Sequence, residues 1–536
     1  MSNRPGRAYI YLPIVFALLI VAGMFLGRML NFTTGKSQGQ AYENLPPDEK
    51  ISEVLKYITE HYVDSVDHSD ITEKAIEDLL HNLDPHSSYI SAKELKDINE
   101  QLEGNFEGIG IEFNIVRDTI CVVSVIAGGP SQKAGLLAGD KIITVEGKTV
   151  AGTNVKNKDV TSLLRGPKGT DVKVGVMRNN QPKLIGFVIT RDEIPLYSLD
   201  VAYMLDDNTG YIKLSRFAET SYIEFMEAIQ KLRKEGMKDL VFDLRGNGGG
   251  LLNIAVDIAD EFLEKGKMIV YTEGRHSMRK NYTATSKGAL TAMPVVVLID
   301  ENSASASEIV AGALQDNDRG MIMGRRSFGK GLVQQQTQLP DGSAIRLTTA
   351  RYYTPTGRCI QKPYNKGLDD YYNEEQARFE SGELQHADSI KFPDSLKFHT
   401  PKGKTVYGGG GIMPDVFVPL DTSGRTPYLS ELFYKSVFNQ FSFDYADKKR
   451  VVLSAAGLNA FRESFRVDET LFREFIQYAE KNGVKRNEAQ IKKSEQLIRN
   501  YLKASIARSI WNNEGFYPIY NQDDKTMQQA VEYLNG

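Results

Sequence analysis

The sequence predicts a multidomain α/β fold class, and three patterns carry that prediction. Apolar, β-branched runs at residues 240–242 and 294–299 end in turns of small residues that open onto helical spacing, the alternation expected of an α/β core. Residues 104–190 show short strand runs between glycine turns with little helix, and read as a separate β-rich module. From Tyr428 onward the spacing is helical: Phe472, Phe475, Ile476 and Ala479 form one stripe, and Ile498, Leu502, Ile506 and Ile510 another. At 536 residues, 41% of them apolar, the chain has room for several such domains.

At the N-terminus, Arg4 and Arg7 precede an uncharged apolar run over residues 8–26. Those nineteen residues, rising about 1.5 Å each in a helix, cover about 28 Å, close to the hydrocarbon core of a bilayer. The leading arginines favour a cytoplasmic N-terminus. No small-x-small cleavage site follows, so residues 1–30 are expected to form a cytoplasmic tip and an uncleaved transmembrane signal anchor. The bulk of the chain would then lie outside the cytoplasm, on the periplasmic side of the cell membrane. Residues 31–45, mostly small and polar, read as a tether.

Residues 46–103 turn helical, with Ile51, Val54, Leu55 and Ile58 on one stripe and Ile71, Ala75, Ile76, Leu79 and Leu80 on the next. The turn at 83–89 places His86 beside Pro85, and a turn histidine in that setting reads as packing or capping. In the β-rich module, Gly108, Ile109, Gly110 and Ile111 alternate glycine with apolar residues ahead of strand runs at 120–125 and 172–176. A formal charge of −4 with no basic cluster argues against nucleic acid as a partner. Cys121 and Cys359 fit no metal-ligand spacing, so no metal site is expected, and two isolated thiols are favoured over a disulfide.

The α/β core, residues 191–425, holds the stretch that carries chemistry. After the strand run at 294–299 comes Asp300-Glu301-Asn302-Ser303-Ala304-Ser305-Ala306-Ser307-Glu308, then helical spacing from Ile309. A strand that turns through small residues into a helix exposes a side chain and aims N–H groups and the positive helix end at it. Acyl-transfer enzymes present a serine in this way. From the residues alone, Ser303, Ser305 and Ser307 are all candidates, for nucleophile or for N-cap. Such a serine needs a base. Lys330 lies between Gly329 and Gly331, near Phe328, Leu332 and Val333 and with no acid within several residues, surroundings that would lower an amine's pKa. His276, the only histidine in residues 191–362, offers a Ser–His rival, but Arg275, Arg279 and Lys280 mark a solvated loop. The glycine turn at 246–250 would let backbone N–H groups approach a reacting oxygen. It lacks the Lys-Ser/Thr ending of a phosphate loop.

Taken together these segments resemble the carboxyl-terminal processing peptidases, serine proteases with a Ser-Lys dyad. The serine run, a Phe328-Gly329-Lys330-Gly331 segment whose lysine lies twenty-five residues after Ser305, and Gln334 match that family's catalytic segments. Asp243-Leu244-Arg245-Gly246-Asn247-Gly248-Gly249-Gly250 and residues 83–87, 163–170 and 409–415 match others, over roughly residues 50–420. The resemblance implies a crotonase/ClpP-like α/β protease core with a PDZ domain inserted at 104–190. It implies Ser305 as nucleophile, Lys330 as base, and Gln334 as the residue that orients the lysine amine. It further implies an oxyanion hole from Ala306 and either Gly248 or Gly249, and capture of a substrate's C-terminus at Gly108, Ile109, Gly110 and Ile111. No metal or organic cofactor is implied. The expected protein is a membrane-anchored serine endopeptidase that cleaves exported proteins near their C-termini; homo-oligomerisation and an activator protein stay open. A catalytically silent envelope adaptor and a ligand-binding protein on a crotonase-like core are the rival readings, and turnover separates them.

Two segments stand outside the resemblance. Residues 363–405 are dense in charge (Asp369, Asp370, Glu374, Glu375, Glu380, Lys391, Lys397) and poor in aliphatic residues, and read as a solvated surface insertion. The helical tail, residues 426–536, is either a packed accessory domain or an interaction surface.

Overall fold

The computed structural model describes residues 8–31, 46–126, 128–178, 181, 183–390 and 392–536. The expected cytoplasmic tip through Arg7, residues 32–45 of the expected tether, and Lys391 lie outside the described residues. The chain divides into two compact units, residues 1–83 and 84–536.

The first unit contains α1 (Ala8–Asn31), α2 (Pro47–His61) and α3 (His68–His81). Pro47 opens α2, where its missing N–H is no loss, and Asp67 caps α3 by accepting from the N–H groups of Ser69 and Asp70. Of α1, the side chains from Ile14 to Leu26 are described, and all are exposed. Among the described residues no helix is long and apolar enough to cross a membrane.

The second unit is built on a six-stranded sheet in the order β1 (Leu199–Met204), β2 (Thr209–Leu214), β3 (Asp239–Asp243), β4 (Val295–Ile299), β5 (Met321–Gly324) and β6 (Val416–Phe417). β1 runs antiparallel to β2, and every later pairing is parallel. Parallel strands are covered on both faces, which is why β3 and β4 appear in the sequence as unbroken apolar runs. Alternate residues go to opposite faces. Leu240, Phe242, Val295, Val297 and Ile299 pack with α4 (Ser221–Lys234), α5 (Leu252–Asp260) and α6 (Ala306–Asp316). Val241, Val296 and Leu298 pack instead against Met527 and Ala530.

Those last two residues belong to the tail, whose main helices are α7 (Val437–Ala456), α8 (Glu488–Tyr520) and α9 (Lys525–Asn535). The tail has its own aromatic core, with Phe438 stacked on Phe475 at 5.0 Å. Through α9 it also covers a face of the central sheet, so it is packed structure and part of the core.

A second sheet carries the hairpin Leu332–Gln338/Ala344–Tyr353, which extends the chain beyond Lys330. The β-rich module forms a sheet with edge strand Ile111–Ile115 and a core in which Ile120, Val122, Ile142, Val172, Val176 and Ile189 are fully buried. It leaves and rejoins the chain through one stem, Asn105–Gly108 paired with Asp192–Pro195.

The module is also held by the tail. Phe443 of α7 packs among Val116, Cys121 and Val123, Arg117 pairs with Asp444, and Arg508 reaches Glu112 at 3.3 Å. Burial raises the Cys121 thiol to about 11, so it is unreactive while docked. Phe443→Asp should speed alkylation of Cys121 by about tenfold or more at neutral pH, read by mass spectrometry; an unchanged rate would mean that this contact does not hold the module.

The charged segment 363–405 departs from expectation. It is a surface segment, with Asp369, Asp370, Glu375, Glu380 and Lys397 exposed, but it is pinned to the core where Tyr371, Arg378 and Glu383 are buried. Arg326 pairs with Glu383 at 2.7 Å, Arg378 pairs with the same carboxylate at 2.7 Å, and Lys362 meets Glu374 at 2.5 Å. The Arg378 guanidinium also donates to the carbonyls of Arg326 and Ser327. Glu374, Arg378 and Glu383 are therefore partners for the core, and they brace the loop that follows β5.

Candidate active site

Three neighbouring parallel strands, β3, β4 and β5, end at the same edge of the sheet. In open α/β sheets this carboxyl edge is where ligands bind. β3 runs into the glycine turn at 244–250, β4 into the serine turn ahead of α6, and β5 into the loop that carries Lys330.

The fold separates the three serines. Ser303 Oγ donates to the Leu244 carbonyl at 2.9 Å and Ser307 Oγ to the Asn247 carbonyl at 2.9 Å, both fully buried. They stitch the serine turn to the glycine turn. Ser305 alone is half-buried, and with Glu308 it forms a capping box at the start of α6. Its backbone sits at φ 55° and ψ −112°, a conformation that a residue with a Cβ adopts only when its surroundings force it. A strained turn of this kind at a helix start is a geometry in which nucleophilic enzymes present a serine.

Gly249 makes the elbow possible. A Cβ there would lie 2.7 Å from Ser305 Cβ, 2.8 Å from the Ala304 carbonyl oxygen and 2.9 Å from the Ala306 nitrogen, at a φ of +100°. Gly249→Ala is therefore expected to lower stability by about 1–3 kcal/mol and to reduce turnover by more than about tenfold as the serine shifts. Thermal unfolding and kcat/KM check both effects.

The two glycines offered for an oxyanion hole differ. The Gly249 N–H donates to Asn247 Oδ1 at 2.8 Å, while Asn247 Nδ2 is anchored on the Leu214 carbonyl at 2.9 Å. The N–H groups of Gly248 and Ala306 have no acceptor among the described residues, and Ala306 is the first residue of α6.

One carboxylate ties the serine turn to the lysine loop. Glu308, fully buried, accepts from the Ser305 N–H at 2.8 Å and the Lys330 N–H at 2.9 Å on Oε2. Its Oε1 accepts from the Gly329 N–H at 2.8 Å and Ser327 Oγ at 2.5 Å. Burial raises its pKa to about 7, against the pull of those four donors. Tyr352, also buried, adds a second tether: its hydroxyl lies 2.6 Å from the Lys330 carbonyl and 3.1 Å from the Ser305 carbonyl. Sequence reasoning passed over both residues. The Ser-x-x-Glu spacing of a capping box was a signal for Glu308; nothing local marks Tyr352.

Lys330 Nζ makes no ion pair and no hydrogen bond among the described residues, and it joins no Ser305 Oγ contact. Burial lowers its pKa, helped by the charge of Arg346, while Glu308 and Asp84 oppose. Lys362 is an internal comparison. It is the more buried of the two, over the rings of Phe328 (3.9 Å) and Tyr371 (4.2 Å), but Glu374 neutralises it. Of the two lysines, Lys330 lacks the carboxylate that would keep it charged.

His86 lies in the same neighbourhood. Its Nε2 is 2.7 Å from the Tyr371 hydroxyl and its ring packs edge-on to Phe328 and Tyr371. Burial and then Lys330 hold it down to about 4, so it is neutral at physiological pH. Its carbonyl accepts from Gln334 Nε2 at 2.6 Å, and no hydrogen bond joins Gln334 to Lys330 among the described residues. His276 is exposed in the turn between Met268–Glu273 and Lys280–Thr283.

In the β-rich module, Gly108 ends the stem strand and Ile111 begins the edge strand. Ile109 is buried in the module core, and its carbonyl and that of Gly110 accept from Ser131 and Ile126. The N–H groups of Ile109 and Gly110 have no acceptor among the described residues.

Comparison with known proteins assigns families to these parts. Residues 208–370 match Peptidase family S41, residues 108–186 a PDZ domain, residues 28–94 the N-terminal domain of activating protease CtpB, and residues 428–512 a family of unknown function. The chain is 39% identical to a carboxy-terminal-processing protease of Bartonella bacilliformis, over 64% of this chain and 80% of that protein. It is 34% identical to the carboxy-terminal processing protease CtpA of Bacillus subtilis, over 65% of this chain and 75% of that protein. Among solved structures, a photosystem II D1 C-terminal processing protease is 30% identical, with 59% of this chain and 91% of that chain covered and a TM-score of 0.34.

Proposed function

Because this chain belongs to the carboxy-terminal processing proteases of Peptidase family S41, it is a serine-type peptidase, and we propose that Ser305 is its nucleophile and Lys330 its general base. The observation that carries this reading is one buried carboxylate, Glu308, bonded at once to the strained Ser305 elbow and to the backbone of a half-buried lysine that makes no ion pair among the described residues. Lys330, as free amine, takes the Ser305 proton while Oγ attacks the peptide carbonyl. The N–H groups of Gly248 and Ala306 hold the oxyanion. The leaving amine takes the proton back from Lys330, and water then hydrolyses the acyl-enzyme with Lys330 again as base. Gln334, anchored through Nε2 on the His86 carbonyl, keeps Oε1 to accept from the lysine amine once substrate brings the two together.

The PDZ domain recognises the substrate's C-terminal residues at Gly108, Ile109, Gly110 and Ile111. Support comes from its open edge strand, which suits strand addition, and from the unengaged N–H groups before it, which suit a terminal carboxylate. The core is read as crotonase/ClpP-like from its parallel strands joined by helices and the site at their carboxyl ends. The uncharged run through α1, exposed wherever it is described, supports a single-pass anchor with the catalytic part outside the cytoplasm.

The test is turnover of a panel of peptides that differ only at their C-termini, by wild type and Ser305→Ala. Wild type should cleave with a preference set by the terminal residues, and Ser305→Ala should be inactive. Equal hydrolysis by both proteins would refute the assignment, and indifference to the terminus would refute the PDZ role.

A further inference from the structure

A cleft of about 610 Å³ opens in the tail between the helix Leu458–Ser464, the loop after it and α8. It shares no residue with the Ser305 site. Four cations line it, Arg462, Arg466, Arg499 and Lys503, against two acids, Glu463 and Asp523. Arg499 is neutralised by Glu469 and by Glu495 at 2.7 Å, and Asp523 accepts from Asn500 Nδ2 at 3.0 Å.

The other three cations form no ion pair among the described residues. Lys503 Nζ donates to the Arg462 carbonyl at 2.7 Å, and Arg466 Nη1 to the carbonyl of its neighbour Phe465 at 2.9 Å. Arg462 Nε is buried and has no acceptor among the described residues. Burial, then the charges of Arg466 and Arg462, depress the Lys503 pKa. Like charges converging on a concave surface repel one another, and although Glu463 and Asp523 share the lining, neither forms an ion pair with these three among the described residues. Guanidinium and ammonium groups so arranged are donors awaiting oxyanions.

The rest of the lining narrows the ligand. Val467 is its one apolar side chain and it holds no aromatic ring, so neither an acyl chain nor a stacked base has a place. Amides such as Asn459 and Gln496 supply hydrogen bonds for hydroxyl groups. The volume is that of a small-molecule site. We propose that this cleft binds a small, water-soluble, hydroxyl-bearing polyanion through oxyanion groups, phosphate or carboxylate, held by Arg462, Arg466 and Lys503.

Isothermal titration of the full-length protein with sodium pyrophosphate, and separately with citrate, tests this at physiological ionic strength; vesicles containing phosphatidylglycerol form a third arm. At least one soluble anion should bind saturably, and which one binds more tightly identifies the oxyanion. Arg466→Glu and Lys503→Gln should each weaken it by about tenfold or more. Arg466 is exposed and bonded only to its neighbour's carbonyl, so its replacement should leave the melting temperature unchanged. The proposal is overturned if neither anion binds saturably, if the variants bind as wild type does, or if vesicles bind and neither soluble anion displaces them.

Discussion

Lys330→Met should lose about 10³-fold or more in kcat/KM with little change in KM, because it removes proton transfer and leaves substrate contacts in place. Stability should equal or exceed that of wild type. The substitution replaces a half-buried amine that makes no ion pair among the described residues with an apolar chain of similar length, so lost activity cannot be ascribed to misfolding. The pH dependence follows from the same burial. The folded amine has a depressed pKa, so the base form grows as pH rises through it, and kcat/KM should climb along a limb centred below the free-lysine value of about 10.4. Between those two pKa values the unfolded chain binds more protons than the folded one, so stability rises with pH across that window. A Lys330→Met enzyme that keeps its turnover would end the dyad reading.

Glu308→Gln should be the most damaging isosteric change in the site. All four groups around the carboxylate are donors, so the new NH₂ must face a pair of them. Facing Ser305 and Lys330 it leaves two N–H groups without acceptors; facing Ser327, whose hydroxyl can turn to accept, it leaves the Gly329 N–H, at about 1–3 kcal/mol for each donor lost. The serine elbow and the lysine loop lose their shared anchor, and kcat/KM should fall by about 10²-fold or more. Chemical denaturation should show a lower midpoint at unchanged slope. The pH profile gives a readout that a general loss of stability would not: wild type should show a second inflection near 7 from Glu308, absent in Glu308→Gln. Full activity in this variant would mean that the two elements do not depend on the carboxylate.

Much of the scaffold was legible along the chain. Fully buried parallel strands appear as continuous apolar runs, and small residues between strand and helix mark the elbow, so β3, β4 and the start of α6 were visible without coordinates. The lysine's setting was visible only in part, since the charges that act on it, those of Arg346, Glu308 and Asp84, come from other segments. The surroundings of residues 363–405 were not. Their charges looked solvated because composition counts charges without their partners, and the partners of Glu374 and Glu383, Arg326 and Lys362, belong to other segments.

By itself the sequence determined which residues could do chemistry, because an elbow of small residues and a lysine in apolar company are local patterns. Only the tertiary structure decided which of three serines reaches solvent, since the hydroxyls of Ser303 and Ser307 are taken by carbonyls from the end of β3. It alone decided that Glu308 and Tyr352 tie the serine to the lysine, and that the tail closes a face of the central sheet. The physical reason is one of range: burial patterns repeat within a few residues, whereas a hydrogen bond or ion pair is satisfied by whatever the fold brings within about 3 Å.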